Sequence, residues 1–529
     1  MNNNLRLLNE QPRLTIPIGT LRVSPYEIKS ILDVEIRQKI NEHSTITIKG
    51  VLFPGQENKY AEMTTVGTNI ILSTVYTSEN APGGPSGEEY EDAPGVASGD
   101  ISGEEFVLFQ GLVQDVRVNM EKEEPHITIR AISHSYLLDV KKKSRSFQNK
   151  KKTYTDLMEQ VTSPYPGADV IDAVTFGVPT DKFIMQHRET DWEFIRRMAS
   201  HFNTGLICDV RYDTPKYFFG VPRTQVLELD SKNYSTKKDV GIYEQLSQNG
   251  VRELNEQHFE GCEIETNCVM RIGDTVLFQE KQLYVSEIRS LIKKSNYISR
   301  LTLVPEKGLR QPYQPNTAVV GASYGGSILE RKNDQVKISL ETDWDHDPGE
   351  PCFFPYSTIY SSRDGSGWYC MPEVGDKIRL HFPDGEDDHA FAISSVHKHV
   401  DPATMPSRGK IDDEEETGGG APNPAGSYSG LRDDPDVKSI TYGDREVRLS
   451  PEGIHIILGD GAIINLTEEG IVLITENDIT FQSEKNITLA AEDDVNIVGT
   501  DSVNLKCQET ASIIIDENIQ AVGQEVKSN

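Results

Sequence analysis

Along residues 471–523, about a tenth of the chain, apolar residues return at every eighth position. Ile471, Ile479, Ile487, Val495, Val503, Ala511 and Ile519 form one series. Two places on stand Leu473, Phe481, Leu489, Ile497, Leu505, Ile513 and Ala521. The next alternate position is mostly small, from Thr475 through Gly499 to Gly523, and a polar residue such as Asp478, Asn486 or Asp494 precedes each unit. Period-two alternation inside a fixed longer period predicts short strands with an inward apolar column, closed by polar turns. Apart from the two alanines, the residues of the first two series are the expected inward positions. A single-chain triangular coil would spend three octads per turn, leaving only about two coils and bare strand edges. Three identical chains wound on one axis would use every octad at once and remove the edges. An antiparallel meander also alternates; it calls for Gly-Asn or Asp-Gly hairpin turns between units.

Upstream, the same alternation predicts strands around Leu14–Ile16, Val34–Ile40, Ser44–Ile48, Thr68–Tyr76, Phe106–Phe109, Gly111–Val118 and His126–Ile132. Residues 77–105 break it with Gly, Pro, Ser and acid, a solvated insertion between two strands. A short helix is expected from Thr153 to Thr162, stopped by Pro164 and Pro166. A second helix follows Thr190, where Glu193 completes a capping box and Phe194, Ile195 and Met198 form an apolar stripe. Gly205 is its expected stop before the strand Leu206–Val210. Strands resume near Thr275–Phe278, Leu283–Ile288 and Ser299–Val304. Residues 1–316 thus read as two β-barrel-like pieces bridged by short helical segments. Residues 317–400 hold about five short strands, among them Gln335–Leu340, Gly367–Met371 and Lys377–His381, and suggest a small barrel of the OB type. An acidic Gly/Pro linker spans 401–436, and the shaft spans 437–529, irregular before Ile471. The fold class is mainly β throughout.

With 529 residues there is room for three or four domains, and a net charge of -30 argues against nucleic acid as a partner. The barrel loops reinforce this: Asp343, Asp345, Asp347 and Glu386-Asp387-Asp388 have the wrong sign for a phosphate-binding face. Six scattered cysteines without CxxC pairing fit reduced, buried thiols, and the first residues lack the basic-then-apolar order of a signal peptide, so a cytoplasmic protein is expected. The one dense basic cluster, residues 141–152, reads as an exposed loop or a patch meeting an acidic subunit. His187, Glu189, Asp191 and His201 match no usual ligand spacing, and charged residues opening a capped helix need no metal. His389, His397 and His399 could gather on one barrel edge as a zinc site. No catalytic residue, cofactor or metal is assigned.

The order of parts resembles the VgrG-type spike proteins of contractile injection systems, in which a phage tail hub and spike are fused. The resemblance spans nearly the whole chain. It is carried by FQGLVQDVRV (Phe109–Val118), by SYLLDVKKKSRSFQNK and by HRETDWEFIRRMASHFNTGLI, which is similar to the family's R-E-S/T-D-x-x-F-x-x-R helix. In the barrel it rests on Trp368, Pro372, Gly375, Ile378, Phe382 and Gly385, although Glu386 stands where the family usually has Asp.

The resemblance implies a hub of two tube-like β-barrels per chain, so that three chains imitate a six-fold tube ring. It also implies an intertwined trimeric β-helix as the spike. The implied partners are two further copies of the chain, the tube protein, baseplate proteins, effector cargo and, on firing, a target membrane. Relatives with a lysozyme domain carry it between barrel and shaft, where this chain has only the linker. The closing VGQEVKSN lacks a metal-binding His-x-His tip, which implies a separate PAAR-like cap. The expected function is that of a non-enzymatic, membrane-piercing hub and spike, cytoplasmic until assembled and then delivered outward. The alternatives are an envelope-degrading spike enzyme and a secreted β-solenoid adhesin. The type of machine, type VI or phage-tail-like, is left open, as are its cargo and its target cell.

Overall fold

The computed structural model describes residues 20–76, 104–293, 296–357, 371–393, 438–442, 445–459 and 461–504. The insertion at 77–103, the linker at 401–436 and the last octads from Leu505 onward lie outside the described residues. Two units are distinguished, residues 1–404 and 405–529, and each is treated by itself.

The first unit is organised on one 12-stranded sheet. Its main path runs through Thr20–Ser24, Asn69–Tyr76, Glu104–Glu121, Glu124–Ile132, Thr45–Leu52 and Ile28–Lys39. It continues through Lys281–Lys293, Asn296–Val304, Glu260–Thr266 and Tyr234–Lys238. The two barrel-like pieces read from the sequence are therefore halves of one open sheet, joined where Ile28–Lys39 pairs antiparallel with Lys281–Lys293. Each half keeps its own core. Val34, Ile48, Leu52, Ile70, Leu72, Phe109 and Ile129 fill the first, and Val276, Val285, Ile288, Leu301 and Leu303 the second. The two strands expected around Gly111 are one, Glu104–Glu121, bulged between Val113 and Asp115. Gly111 suits that path because a Cβ there would meet the Ile132 carbonyl oxygen at 2.3 Å.

A helical layer lies between the halves in sequence. Helices Tyr154–Thr162 and Asp191–Ser200 bury Leu157, Met158, Val161, Trp192, Phe194, Ile195 and Met198 against Leu206, Tyr217 and Phe219 of a three-stranded sheet. Both helices open on full capping boxes, Thr153 with Asp156 and Thr190 with Glu193. Gly205 does not stop the second helix. Asn203 takes the left-handed backbone there, and Gly205 is instead needed for close approach, since a Cβ would sit 2.5 Å from Ile40 Cγ2.

The strand expected at Gly367–Met371 lies, but for Met371, outside the described residues. Five described strands between residues 323 and 393 form an antiparallel sheet in the order Phe353–Pro355, Gln335–Leu340, Ser323–Lys332, Lys377–His381, Phe391–Ile393. A parallel bridge between Tyr356 and Ala392 brings its outer strands together. This small barrel does not supply its whole core. Phe183 and Met185, about 140 residues earlier, pack among Val319, Ile338, Phe354, Leu380 and Phe382.

In the second unit, the stretch at 438–475 is an antiparallel meander of five strands, each paired with the next. One face carries two apolar rows, Val447–Ile456–Ile464–Leu473 and Leu449–Ile454–Leu466–Ile471. This stretch, which precedes the regular octads except for its last strand, pairs with itself within the chain. From Glu476 to Asn504 the chain has neither helix nor strand.

Candidate functional site

Two features stand out, one in each unit. The first is the joint between the hub and the small barrel, built from the basic cluster and the Arg188–Arg197 helix opening.

Strand Lys143–Phe147 pairs with Ile184–Glu189, which places the basic cluster between hub and barrel. Arg145 is buried and Lys143 partly so, whereas Lys141, Lys142 and Lys151 stay exposed. The cluster's partners lie in the same chain, because a dense positive run can be buried only against fixed carboxylates. Lys143 Nζ and Arg145 Nη2 donate to the Asp191 carboxylate at 2.6 and 2.7 Å, and Tyr165 OH donates to it at 2.6 Å. Burial pushes the Tyr165 hydroxyl up, and its bond to the Asp191 carboxylate adds to the rise. Lys150 and Lys151 pair with Asp388 and Glu350 of the barrel at 3.1 and 3.7 Å.

Arg197 closes the joint. Its Nε and Nη2 donate to Glu189 at 2.8 and 2.9 Å, Nη1 to Asp387 at 3.0 Å, and Nη2 to the Met185 carbonyl at 2.7 Å. Burial alone would lower the pKa of this guanidinium, but Asp387 and Glu189 raise it instead. Asp387 also accepts from the Met185 amide and from Asn316 Nδ2, and Asp388 from the Phe183 amide. On the next loop, Asp343 accepts from the Ser146 amide at 2.8 Å and its hydroxyl at 2.6 Å. Gln148 donates to the Ile338 carbonyl, Gln160 to the Asp347 carbonyl, and Tyr313 to Glu386 at 2.7 Å. The acidic barrel loops are thus the anchors of the joint. Sequence spacing could not pair them with the basic run, because the partners lie about 200 residues apart.

The four residues weighed as ligands separate into structural roles. His187 Nδ1 bonds Tyr324 OH, Glu189 holds Arg197, and Asp191 anchors the basic strand. His201 bonds Tyr154 OH through Nδ1 at 2.8 Å and stacks on Tyr313, and burial pushes its pKa down to about 3. His389 pairs with Asp384 at 2.8 Å on the surface, whereas His397 and His399 lie outside the described residues.

The second feature is the octad ladder. Ile471 and Leu473 sit on the last strand of the meander. Ile479, Phe481, Ile487, Leu489, Val495, Ile497 and Val503 follow it, all exposed, with Phe481 at 69% and Leu489 at 71%. Leu505, Ile513 and Ile519 lie outside the described residues. Scattered single apolar residues on a surface are ordinary, but seven at fixed spacing on an otherwise acidic segment are not.

The phage tail baseplate hub family, GPD, matches residues 96–203, which include the basic strand and the Arg188–Arg197 opening. No curated protein matches the chain. Among solved structures, the lidded Francisella PdpA–VgrG complex shares the fold at TM-score 0.50 and 10% identity, over 87% of this chain and 81% of that one. The E. coli c3393 protein, a type VI secretion component similar to T4 tail proteins gp27 and gp5, aligns at TM-score 0.47 and 13% identity. That alignment covers 71% of this chain and 99% of the other. A 43 kDa tail protein of prophage MuSo2 from Shewanella oneidensis aligns at TM-score 0.39 and 13% identity, over 56% and 98%. The chain is a mainly β protein that resembles, in its baseplate-hub segment and its fold, the VgrG-like hub-and-spike proteins of contractile injection systems.

Proposed function

We propose that this chain is one third of a homotrimeric hub and piercing spike at the tip of a contractile injection machine. The hub end meets the inner tube and baseplate. The far end of the shaft carries a PAAR-like cap, and effectors travel with the assembly. Contraction drives the spike through a target membrane without making or breaking a covalent bond. The protein stays in the cytoplasm until it is built into the particle.

The exposed octad ladder carries this reading. A full burial of its seven described side chains beyond the meander would contribute about 10–20 kcal/mol per chain, and half that burial about 5–10 kcal/mol. A segment that gives its apolar column no neighbour in one chain gains that stabilisation by winding with two copies. The two apolar rows of the meander end on Ile471 and Leu473, so they lead into the same column. Stiffness under load follows from strands hydrogen-bonded around a common axis, and resistance to forced unfolding is set by the unfolding rate.

Light scattering of the purified chain tests the assembly: the expected native mass is three times 59.1 kDa. A monomer would end the reading. A zymogram on envelope material tests the absence of catalysis, with no clearing expected.

A further inference from the structure

Two imidazoles, His187 and His346, are enclosed in the joint between hub and barrel, and each faces it from a different side. His346 rides on the barrel loop, half-buried. Its Nε2–H donates to the Ser146 carbonyl at 2.9 Å, and its ring stands edge-on to Phe147 at 4.9 Å. Around it stand the Arg145 guanidinium on the hub strand and Asp343 and Asp347 on its own loop. His187 is buried on the hub strand. Its Nδ1 bonds Tyr324 OH of the barrel, with Arg188 beside it and Asp387 on the facing turn. The hydrogen bonds found for the two rings go to a carbonyl and a phenol; the carbonyl accepts from imidazole and imidazolium alike, so burial and a neighbouring guanidinium are what oppose the charged form. Neither is an ion pair with a carboxylate. The same joint holds a weak point, since Gln148 Oε1 is buried with no hydrogen-bond partner among the described residues.

We propose that the hub–barrel joint is an acid-sensitive coupling, in which protonation of His187 and His346 loosens the seam before either body unfolds. Burial holds both histidines below their ordinary pKa, helped by Arg188 at the first and Arg145 at the second. The opened joint therefore binds protons that the closed one refuses, so closure weakens as pH falls below about 6.5. At pH 5 the bias is at most about 30-fold per histidine, reached when the closed form excludes the proton altogether. Asp343 works in the opposite direction. Burial raises its pKa despite the Ser146 bonds, so the closed form takes up that proton more readily, and only at lower pH. Between about pH 6.5 and 5 the two imidazoles dominate. This inference rests on the joint alone and is independent of the trimeric spike.

Hydrogen exchange on the full-length protein tests it. The reporters are the Ser146, Gln148 and Met185 amides, which bond across the seam to Asp343, the Pro348 carbonyl and Asp387, with strand Thr45–Leu52 as internal reference. Corrected for intrinsic rates, seam protection should fall at least about tenfold relative to the reference between pH 7.5 and 5.0. The His187→Gln/His346→Gln variant should hold it within about threefold. A seam insensitive to pH in the parent, or equally sensitive in the variant, overturns the proposal. If the double substitution disturbs the reference strand, His346→Gln alone decides: it must remove part of the pH dependence of the Ser146 and Gln148 amides, and an unchanged dependence overturns the proposal.

Discussion

Replacing Arg197 with methionine tests whether the joint is held by a mutually dependent charge network. The substitution keeps most of the side-chain volume and removes four hydrogen bonds: two to Glu189, one to Asp387 and one to the Met185 carbonyl. Asp387 then keeps only neutral donors, Met185 N and Asn316 Nδ2, with its carboxylate still enclosed. Breaking a buried ion pair from one side costs about 3–5 kcal/mol, because the surviving charge has lost its compensation. Asp387→Asn should cost a similar amount, since it leaves the buried guanidinium with Glu189 as its one carboxylate partner beside the Met185 carbonyl. The double variant removes both members, so its cost should fall short of the sum by about 2 kcal/mol or more. The assay is urea unfolding of the four proteins, followed by Trp192 fluorescence, since that ring is buried in the helix carrying Arg197. Strict additivity, or a single-variant loss under about 1 kcal/mol, would refute the mutual dependence of these charges.

Further perturbations address the remaining claims. Ile487→Asp would set three carboxylates near one axis, and the variant should lose trimer mass and SDS resistance; retention of both would show that Ile487 does not point inward. Truncation at Leu431 separates the two possible sources of the trimer: trimer mass should be lost if the shaft alone holds the copies together, and kept if the hub does. Gly111→Ala drives a Cβ against the Ile132 carbonyl and the Phe109 ring, and should cost about 1–3 kcal/mol in urea unfolding. His201, with its pKa held near 3, contributes stability that is complete above pH 6.5 and drains away toward pH 3. His201→Gln should therefore flatten the acid limb by at most about 2 kcal/mol at pH 5, seen in thermal melts across pH.

Local patterns were legible in the sequence, and distant pairings were not. The Thr190–Glu193 capping box, the apolar stripe after it and most hub strands follow from period and caps alone. Strand Lys143–Phe147 was hidden because its lysines and arginine look solvated until Asp191 and Asp388 are placed beside them. The barrel passed for a self-sufficient module because nothing in residues 317–400 shows that Phe183 and Met185 complete its core. The meander did advertise itself locally: Glu452-Gly453, Asp460-Gly461 and Glu469-Gly470 are turn dipeptides between apolar runs, and they stop where the octads become regular.

The union of the two sheet halves also sets an order of events during synthesis. Ile28–Lys39 waits for Lys281–Lys293 before its second edge is covered, and the sheet is complete only once Val304 has emerged. Closing a loop of about 250 residues is slow, and an uncovered edge strand is open to wrong partners meanwhile. At that moment the whole apolar ladder, from Ile471 on, is still untranslated. Each nascent chain can thus settle this sheet before the exposed apolar ladder has been made.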